Sequence, residues 1–339
     1  MTRVRARAPG RVNLLGEYVD FCGGPVLPMA IDLATTVDLE VGDGAEVRLT
    51  SPDEPEVAVV RVGPGDAASL EPAWARYVGG VVGELVASGR RVPGAVGSVS
   101  TTLPIGAGLS SSAALELAVA LALGFDGPAQ ELALLAQRAE HKASGVPCGV
   151  MDQLASASGK EGHALLMDCT TLEVDPVLLP PGWRVLVAHS GEKRTLAGSA
   201  YADRRAATER AATIVGPLPH AELRAIEALE DPVLRRRARH VRTECERVRA
   251  VALSRFDRAV VAEAMAASHA SLRDDFEVST PGLDSLVAHL SAQPGVVGAR
   301  LTGAGFGGCA VALVEDGARP DVSAWQHWWV SAAGPATLL

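Results

Sequence analysis

The segment with the clearest chemical potential runs from Leu103 to Glu116 and reads LPIGAGLSSSAALE. Its two glycines, Gly106 and Gly108, allow a tight turn and the close approach of the backbone to a ligand. Three serines follow where the N-cap and first turn of a helix belong, so free backbone amides are expected beside them. Such a helix start binds phosphate oxygens and suits a phosphate-bound metal. The segment predicts a phosphate site, with an ordinary serine-capped loop as the alternative.

Other phosphate and metal chemistries fit the chain less well. The loop has no lysine after its glycines, so it does not match the P-loop pattern. A second glycine-rich segment, Gly303 to Gly308, matches GxGxxG, but a strand pattern follows it, whereas a dinucleotide fingerprint opens a helix. The eight histidines form no HExxH pair, which argues against a zinc protease. The second segment is either a tight turn between strands or a cover over the phosphate pocket.

Length and composition limit the class of protein. The chain has 339 residues, of which 48% are hydrophobic and 21% charged, as expected for a globular protein of one large or two ordinary domains. The net charge of -9 disfavours a nucleic-acid partner. No apolar run is long enough to suggest a membrane partner. Five cysteines without a CxxC pair, and a basic start without a signal-peptide pattern, predict a cytoplasmic protein with reduced thiols.

Periodicity and turn signals predict the elements that position these residues. The predicted strands cover residues 3–8, 36–41, 46–50, 96–103, 163–168, 184–189, 299–302 and 309–314. Pro9 and Gly10 should end the first strand, and the second and third strands should pair with each other. The predicted helices cover residues 74–87, 111–123, 130–144, a short stretch from 151, and 200–212, 221–228, 234–253, 258–272 and 283–292. A Pro-Pro-Gly break at residues 180–182 suggests two domains, 1–181 and 182–339.

Several stretches, taken in chain order, match the motifs of one protein family. Residues 10–20 (GRVNLLGEYVD) with residues 24–29 (GPVLPM) resemble the galactokinase signature. Residues 103–114 resemble the ATP loop of the GHMP kinase superfamily, and residues 301–309 resemble its third motif. Further similarity lies at residues 139–141, 147–153, 193–199 with Tyr201, and 268–277. The chain is therefore identified as a member of the GHMP kinase superfamily that resembles the galactokinases.

The resemblance implies a fold and a place for the active site. The expected fold class is α+β, the two-domain GHMP kinase fold. Its N-terminal domain resembles the second domain of ribosomal protein S5, and its C-terminal domain is ferredoxin-like. The active site is expected in the cleft between the two domains.

The resemblance also implies sites for ATP and Mg²⁺. Ser112 and Glu140 match the family's magnesium ligands, and hydroxyl and carboxylate oxygens are ligands that Mg²⁺ accepts. Trp74 and Tyr77 match positions that flank the nucleotide base, with packing in the core as the alternative. The loop is expected to hold the nucleotide phosphates through Gly106, Ala107, Gly108, Leu109, Ser110, Ser111 and Ser112.

Asp152 matches the family's proposed catalytic base, and Arg11 matches its partner. A carboxylate beside an arginine and a helix start is expected to be ionised at neutral pH and to be a weak proton acceptor. A weak base suffices where the acceptor hydroxyl loses its proton late in phosphoryl transfer. Positioning and electrostatic stabilisation by Asp152 is the alternative role, and a buried ion pair without chemistry is the third.

Four residues match family positions that contact galactose hydroxyls: Glu17, Asp20, Gly149 and Tyr201. Carboxylates are strong acceptors of hydroxyl hydrogen bonds. The family's usual Glu-His-Thr-Asp-Tyr-Asn is EYVDFC here, at residues 17–22, so Tyr18 replaces a histidine expected near the 6-hydroxyl of the sugar. Tyr18 either reaches that hydroxyl or narrows the pocket for a pentose such as L-arabinose.

The predicted activity is that of an ATP- and Mg²⁺-dependent kinase that converts galactose to galactose 1-phosphate. The alternatives are a GHMP kinase for another sugar and a non-catalytic sugar sensor. The unbroken serine run with Glu140 and Asp152 argues against the sensor. A small-molecule sugar is the expected partner, and the protein is expected to be a monomer or a weak oligomer.

Overall fold

The computed structural model describes residues 2–63, 65–192 and 197–339. Residues 193–196, part of one family-like stretch, lie outside the described residues. The strands are β1 (Thr2–Asn13), β2 (Pro25–Val26), β3 (Pro28–Gly42), β4 (Glu46–Ser51), β5 (Glu54–Arg61), β6 (Gly94–Thr101), β7 (His163–Asp168), β8 (Val174–Leu178), β9 (Trp183–His189), β10 (Val296–Thr302), β11 (Cys309–Glu315), β12 (His327–Val330) and β13 (Thr337–Leu338). The α-helices are α1 (Ala75–Ala87), α2 (Ser111–Ala122), α3 (Ala129–Ser144), α4 (Met151–Ala157), α5 (Ala197–Val215), α6 (Leu223–Glu227), α7 (Pro232–Leu253), α8 (Arg258–Asp274) and α9 (Pro281–Ser291).

The first sheet leads into the glycine and serine loop. Its strand order is β13-β1-β3-β6-β4-β5, and its neighbours are antiparallel except β4 and β6, which run parallel. Helix α2 packs on β1 and β3 and contacts α1 and α3. The prediction that β1 ends at Pro9 and Gly10 is wrong, because the strand continues to Asn13 with a register shift between Pro9 and Arg11. A Cβ on Gly10 would collide with the carbonyl of Leu109, so this glycine lets β1 lie against the loop.

The predicted pairing of β3 with β4 is also wrong. Strand β6 lies between them, and the hairpin partner of β4 is β5, which the sequence pattern did not reveal. Strand β5 begins with Glu54 and Pro55, residue types that are depleted in strands. Alternation within a segment shows which face is buried but does not specify the neighbouring strand, so the parallel partner of β4 had no local signal.

The second sheet has the order β10-β11-β9-β12 and is antiparallel throughout. Helices α8 and α9 pack against β10, and α7 packs between α5 and α8. The predicted helices of this half are present, with ends shifted by a few residues. Helix α7 begins at Pro232, where the carboxylate of Asp231 accepts hydrogen bonds from the amides of Val233 and Leu234.

The predicted α+β fold class is confirmed, because helices pack against largely antiparallel sheets. A large apolar core joins the first sheet and its helices to α7, α8 and one face of β9–β11, and a smaller core lies under α9. The Pro-Pro-Gly break lies between β8 and β9, which belong to different sheets. The chain later returns to the first sheet, where Ala332 bridges Ile31 and β13 pairs with β1. The division at residues 181 and 182 stays a prediction.

Among the residues that the structure describes, none of the helices combines the length and apolar character needed to cross a membrane.

Candidate active site

A cavity of about 550 Å³ lies between the glycine and serine loop, the residues after β1, and the turn between β10 and β11. Among its lining residues are most of the predicted site residues: Arg11, Glu17, Tyr18, Asp20, Trp74, Tyr77, Gly106, Gly108, Ser110, Ser111, Ser112, Glu140, Gly149, Asp152 and Tyr201. Ala107 and Leu109 are instead buried in the apolar core, so only their backbone is available to a ligand.

The loop before α2 has the backbone conformation that its glycines suggested. Gly106 and Gly108 have φ values of 79° and 83°, and Ser110 also has a positive φ, at 57°. Ser110 directly precedes α2, as predicted, but its hydroxyl does not cap the helix. It donates instead to Oδ2 of Asp152, at 2.6 Å. The first amides of α2 therefore have no side-chain cap from Ser110, and this end of the cavity suits phosphate oxygens.

Arg11 and Asp152 form a two-bond pair at the centre of the cavity wall. Nε and Nη2 of Arg11 donate to the two oxygens of Asp152, at 2.8 and 2.7 Å. Nη1 of Arg11 also donates to the carbonyl of Gly108, at 2.7 Å. The Arg11 side chain is 6% exposed and that of Asp152 32%, so the carboxylate faces the cavity with the guanidinium behind it. Arg11 thus orients Asp152 and fixes the glycine loop at the same time.

Asp20 is a buried carboxyl beside this pair. Burial, followed by repulsion from Asp152, raises the pKa of Asp20 to about 6. Gly149 lies directly against it, since a Cβ there would overlap the Asp20 carboxylate. These surroundings disfavour the ionised form of Asp20, so that form is a good acceptor of hydrogen bonds from the hydroxyls of a ligand that enters the cavity.

Tyr18 has a role that neither sequence alternative anticipated. Its hydroxyl donates to the carbonyl of Ala304 in the β10–β11 turn, at 2.6 Å. Its ring packs on Phe276 and Tyr201, with ring centres 4.6 and 5.1 Å away. Its φ of 63° is unusual for a bulky residue, so surrounding contacts must hold it. Tyr18 therefore joins the galactokinase-like signature to the third motif.

Glu17 is nearly enclosed by protein donors. It is 2% exposed, and Oε2 accepts a hydrogen bond from Asn13 at 2.6 Å. Oε1 accepts from the amide of Gly303 at 2.6 Å and from Thr302 Oγ1 at 3.1 Å, and it lies 2.7 Å from Nη2 of Arg300. These contacts tie the signature to β10 and the turn after it. Contact between Glu17 and a sugar stays a prediction.

Ser112 and Glu140 lie near a third polar residue that sequence reasoning missed, Glu116. Glu116 is one helical turn after Ser112 on α2, and burial raises its pKa well above the usual value. Burial also raises the pKa of Glu140. Within the described residues, both oxygens of Glu116 and Oε2 of Glu140 are buried without a hydrogen-bond partner. The available signal was a charge inside the otherwise apolar run from Ala113 to Ala122.

This donor set fits Mg²⁺. In the part of the chain that the structure describes, no three His, Cys, Asp or Glu side chains converge on one metal position. Mg²⁺ in nucleotide sites usually takes one or two carboxylates and completes its shell with phosphate oxygens and water. One hydroxyl, Ser112, and one carboxylate with an unpartnered oxygen, Glu140, match that pattern.

Two aromatic residues at the start of α1, Trp74 and Tyr77, line another part of the cavity. Nearby polar residues were not predicted from the sequence. Trp74 lines the cavity while its ring is packed in the core, and its Nε1 donates to the carbonyl of Glu56 at 3.1 Å. Burial, followed by the charge of Glu140, raises the pKa of Tyr77 to about 12. The turn between β4 and β5 adds three polar residues whose position depends on the unpredicted hairpin: Ser51, Asp53 and Glu54.

The tight turn, one of the two roles suggested for the third glycine-rich motif, is confirmed, and a cover over the phosphate pocket stays a prediction. The motif forms the turn between β10 and β11, and its Gly303 and Ala304 line the cavity. A Cβ on Gly305 would collide with the backbone of Val278, and one on Gly307 would lie 2.7 Å from the carbonyl of Glu192. Glycine is therefore needed here for close backbone packing as well as for positive φ.

Comparisons with known proteins agree with this geometry. The galactokinase galactose-binding signature matches residues 2–39, the GHMP kinases N terminal domain matches residues 76–160, and the GHMP kinases C terminal domain matches residues 250–330. A galactokinase of Homo sapiens is 43% identical over 98% of this chain and 88% of its own length. A galactokinase of Chloroflexus aggregans is 43% identical over 93% and 84%.

A solved structure extends the similarity to three dimensions. The galactokinase of Lactococcus lactis, crystallised with galactose, superposes with a TM-score of 0.92 and 30% identity. The match covers 99% of this chain and 95% of that protein. The chain therefore belongs to the galactokinase family of GHMP kinases.

Proposed function

We propose that this protein transfers the γ-phosphoryl group of ATP to the anomeric hydroxyl of galactose and releases galactose 1-phosphate and ADP. Membership of the family makes it an ATP-dependent sugar kinase. The observation that carries the proposal is the Asp152 carboxylate, held by Arg11 and Ser110 on a cavity wall shared by the phosphate-type loop and Asp20.

The two ends of the cavity bind different substrates, ATP at one end and the sugar at the other. The loop amides around Gly106–Ser111 bind the phosphates, and Trp74 and Tyr77 flank the base. Ser112 and Glu140 would hold Mg²⁺, which would neutralise phosphate charge. Asp20 accepts hydrogen bonds from sugar hydroxyls, with Gly149 and Tyr201 beside it.

The reaction needs one new bond, one broken bond and one proton transfer. The anomeric oxygen attacks the γ-phosphorus while the bond from that phosphorus to the β,γ-bridging oxygen breaks, and ADP leaves. The hydroxyl proton passes to Asp152 late in the transfer, so a weak base suffices. Arg11 keeps the carboxylate oriented toward the acceptor.

A sugar panel tests the proposal and its alternatives. With ATP and Mg²⁺, we expect galactose to be turned over faster than 2-deoxygalactose, N-acetylgalactosamine, galacturonate, glucose, mannose or L-arabinose, with the product position identified by phosphorus NMR. Preference for another sugar would favour a different GHMP sugar kinase. Galactose binding without turnover of any sugar would indicate the sensor.

The raised pKa of Asp20 predicts how sugar use depends on pH. A protonated Asp20 is a weaker acceptor, so KM for galactose should rise by up to about tenfold for each pH unit below the pKa of about 6 and stay flat well above it. We expect Asp20→Asn to have a higher KM that lacks this rise. Galactose titrations at saturating ATP, between about pH 5 and pH 8, check this. The same rise in parent and variant would assign it to another group.

The raised pKa of Asp20 also makes the free energy of unfolding depend on pH. The folded protein binds a proton at Asp20 more tightly than the unfolded chain, because the pKa rises from 3.8 to about 6 on folding. Ionisation of Asp20 therefore destabilises the fold, and this cost disappears as the pH falls through that interval. A monomeric or weakly oligomeric state and a cytoplasmic location stay predictions.

A further inference from the structure

Beneath the sugar end of the cavity lies a set of buried charges that the proposed mechanism does not use. Arg300 on β10 and Glu244 on α7 are both fully buried, and neither lines the cavity. Nη1 of Arg300 donates to the carbonyl of Leu14 at 3.1 Å, and Nη2 lies 2.7 Å from Oε1 of Glu17. Oε1 of Glu244 accepts from the amide of Gly16 at 2.9 Å. Arg300 and Glu244 thus attach Leu14, Gly16 and Glu17 of the signature to the second half of the chain, where Gly303 and Thr302 also donate to Glu17.

The charges of this set are balanced. Glu17 and Glu244 carry two negative charges, and Arg300 and Arg247 carry two positive ones; Nε of Arg247 donates to Oε2 of Glu244 at 2.7 Å. Two histidines also lie beside this set. Burial lowers the pKa of His240 to about 4, so it is neutral near pH 7, and burial also lowers the pKa of His269, which lies near Arg300. Arg300 is the member that contacts both carboxylates, at 2.7 Å from Glu17 and 3.9 Å from Glu244. Its removal would leave the signature without its main positive partner.

The attached segment leads directly to the sugar end of the cavity. Tyr18 follows with a positive φ, and Asp20 comes two residues later. A non-glycine residue keeps a left-handed backbone conformation only where contacts with its neighbours stabilise that conformation. The phosphate end is fixed separately, by the hydrogen bonds of Arg11 to Asp152 and Gly108. A change at Arg300 should therefore reach Asp20 and leave the glycine loop in place.

We propose that Arg300 is a positioning residue for sugar recognition. It acts through Leu14 and Glu17 to set where Tyr18 and Asp20 lie, and it does not touch the reacting groups. This inference rests on the proposed function, because it assigns the Asp20 end of the cavity to the sugar. It predicts that Arg300 variants lose sugar affinity selectively, whereas a purely structural residue would affect both substrates or stability alone.

The test is Arg300→Lys, which keeps the charge and loses the planar fork of donors. We expect KM for galactose to rise about tenfold or more, with KM for ATP within about twofold of the parent. Hydrogen exchange should become faster in a peptide that covers residues 14–20 and stay unchanged in one that covers residues 104–112. Arg247→Lys is the matched control, because Arg247 contacts the same Glu244 without contacting Glu17. In this control we expect galactose KM to stay within about twofold.

A second variant keeps the proposal testable if Arg300→Lys does not fold. The double change Arg300→Gln with Glu244→Gln removes one positive and one negative charge, so the buried set stays neutral. We expect the same selective loss for galactose. Equal increases in both KM values, or unchanged galactose KM in the folded variants, would overturn the inference. Absence of galactose phosphorylation by the parent would instead overturn the proposed function.

Discussion

We expect Asp152→Asn to lower kcat about a thousandfold while the binding of ATP and galactose stays measurable. An asparagine amide keeps the size of the side chain and its position beside Arg11 and Ser110, but it cannot accept the proton of the acceptor hydroxyl. It also removes the negative charge that the Arg11 guanidinium now faces through two hydrogen bonds. Turnover would be followed by ADP release, and binding of each substrate by calorimetry.

A matched pair elsewhere in the protein controls for the loss of an arginine–carboxylate interaction. Glu227 accepts two hydrogen bonds from Arg239, at 2.6 and 2.7 Å, away from the cavity lining. Glu227→Gln should therefore leave kcat within about twofold of the parent. Full activity in Asp152→Asn would refute the assignment of Asp152, and lost binding of both substrates would show that the variant had lost the site as a whole.

Glu140→Gln should produce the second large effect, a fall of about a hundredfold in kcat/KM for MgATP. The amide keeps one oxygen but loses the negative charge that favours binding of a divalent cation, and Glu140 lines the cavity with one carboxylate oxygen that has no hydrogen-bond partner in the described structure. The Mg²⁺ concentration for half-maximal activity should rise at least about tenfold. Part of the loss should then be recovered at high Mg²⁺.

Direct metal titration separates this role from a general loss of activity. Mn²⁺ binding in the presence of ADP, followed by electron paramagnetic resonance, should weaken in Glu140→Gln. Glu131→Gln, an exposed change in the first turn of the same helix α3, should bind Mn²⁺ as the parent does. Unaltered Mn²⁺ binding in Glu140→Gln would remove Glu140 from the metal site.

Local sequence patterns predicted most elements and failed where distant segments decide the structure. The helix after the serine loop was predictable because Ser110–Ser112 precede an apolar run of helical length. The neighbours of β4 were not, because a parallel pairing with β6 has no signal in either strand. Similarly, Pro9 and Gly10 look like the end of a strand, yet Gly10 is there for close contact with Leu109.

In the candidate site, too, the sequence did not reveal which distant residues contact a given side chain. Family resemblance named Glu17 and Tyr18 as sugar contacts. Residue types do not reveal that Oε1 of Glu17 accepts hydrogen bonds from Gly303 and Thr302, or that the Tyr18 hydroxyl donates to the carbonyl of Ala304. These partners are almost the whole chain away, so their contact depends on how the two sheets come together. Glu116 had a local signal, a buried charge in an apolar helix, but that signal does not say what lies beside it.

The pairing of β13 with β1 has a consequence for how the protein is made. Synthesis proceeds from the N terminus, so β1 and β3 can pair early, but the other edge of β1 stays open until residues 337 and 338 have been added. An open strand edge can pair with another nascent chain and aggregate. Arg3, Arg5 and Arg7 alternate along β1, with Arg3 and Arg5 exposed. Arg3 is paired with Asp38 of β3, so Arg5 and Arg7 are the residues whose like charges would disfavour pairing with a second copy of β1 during that interval.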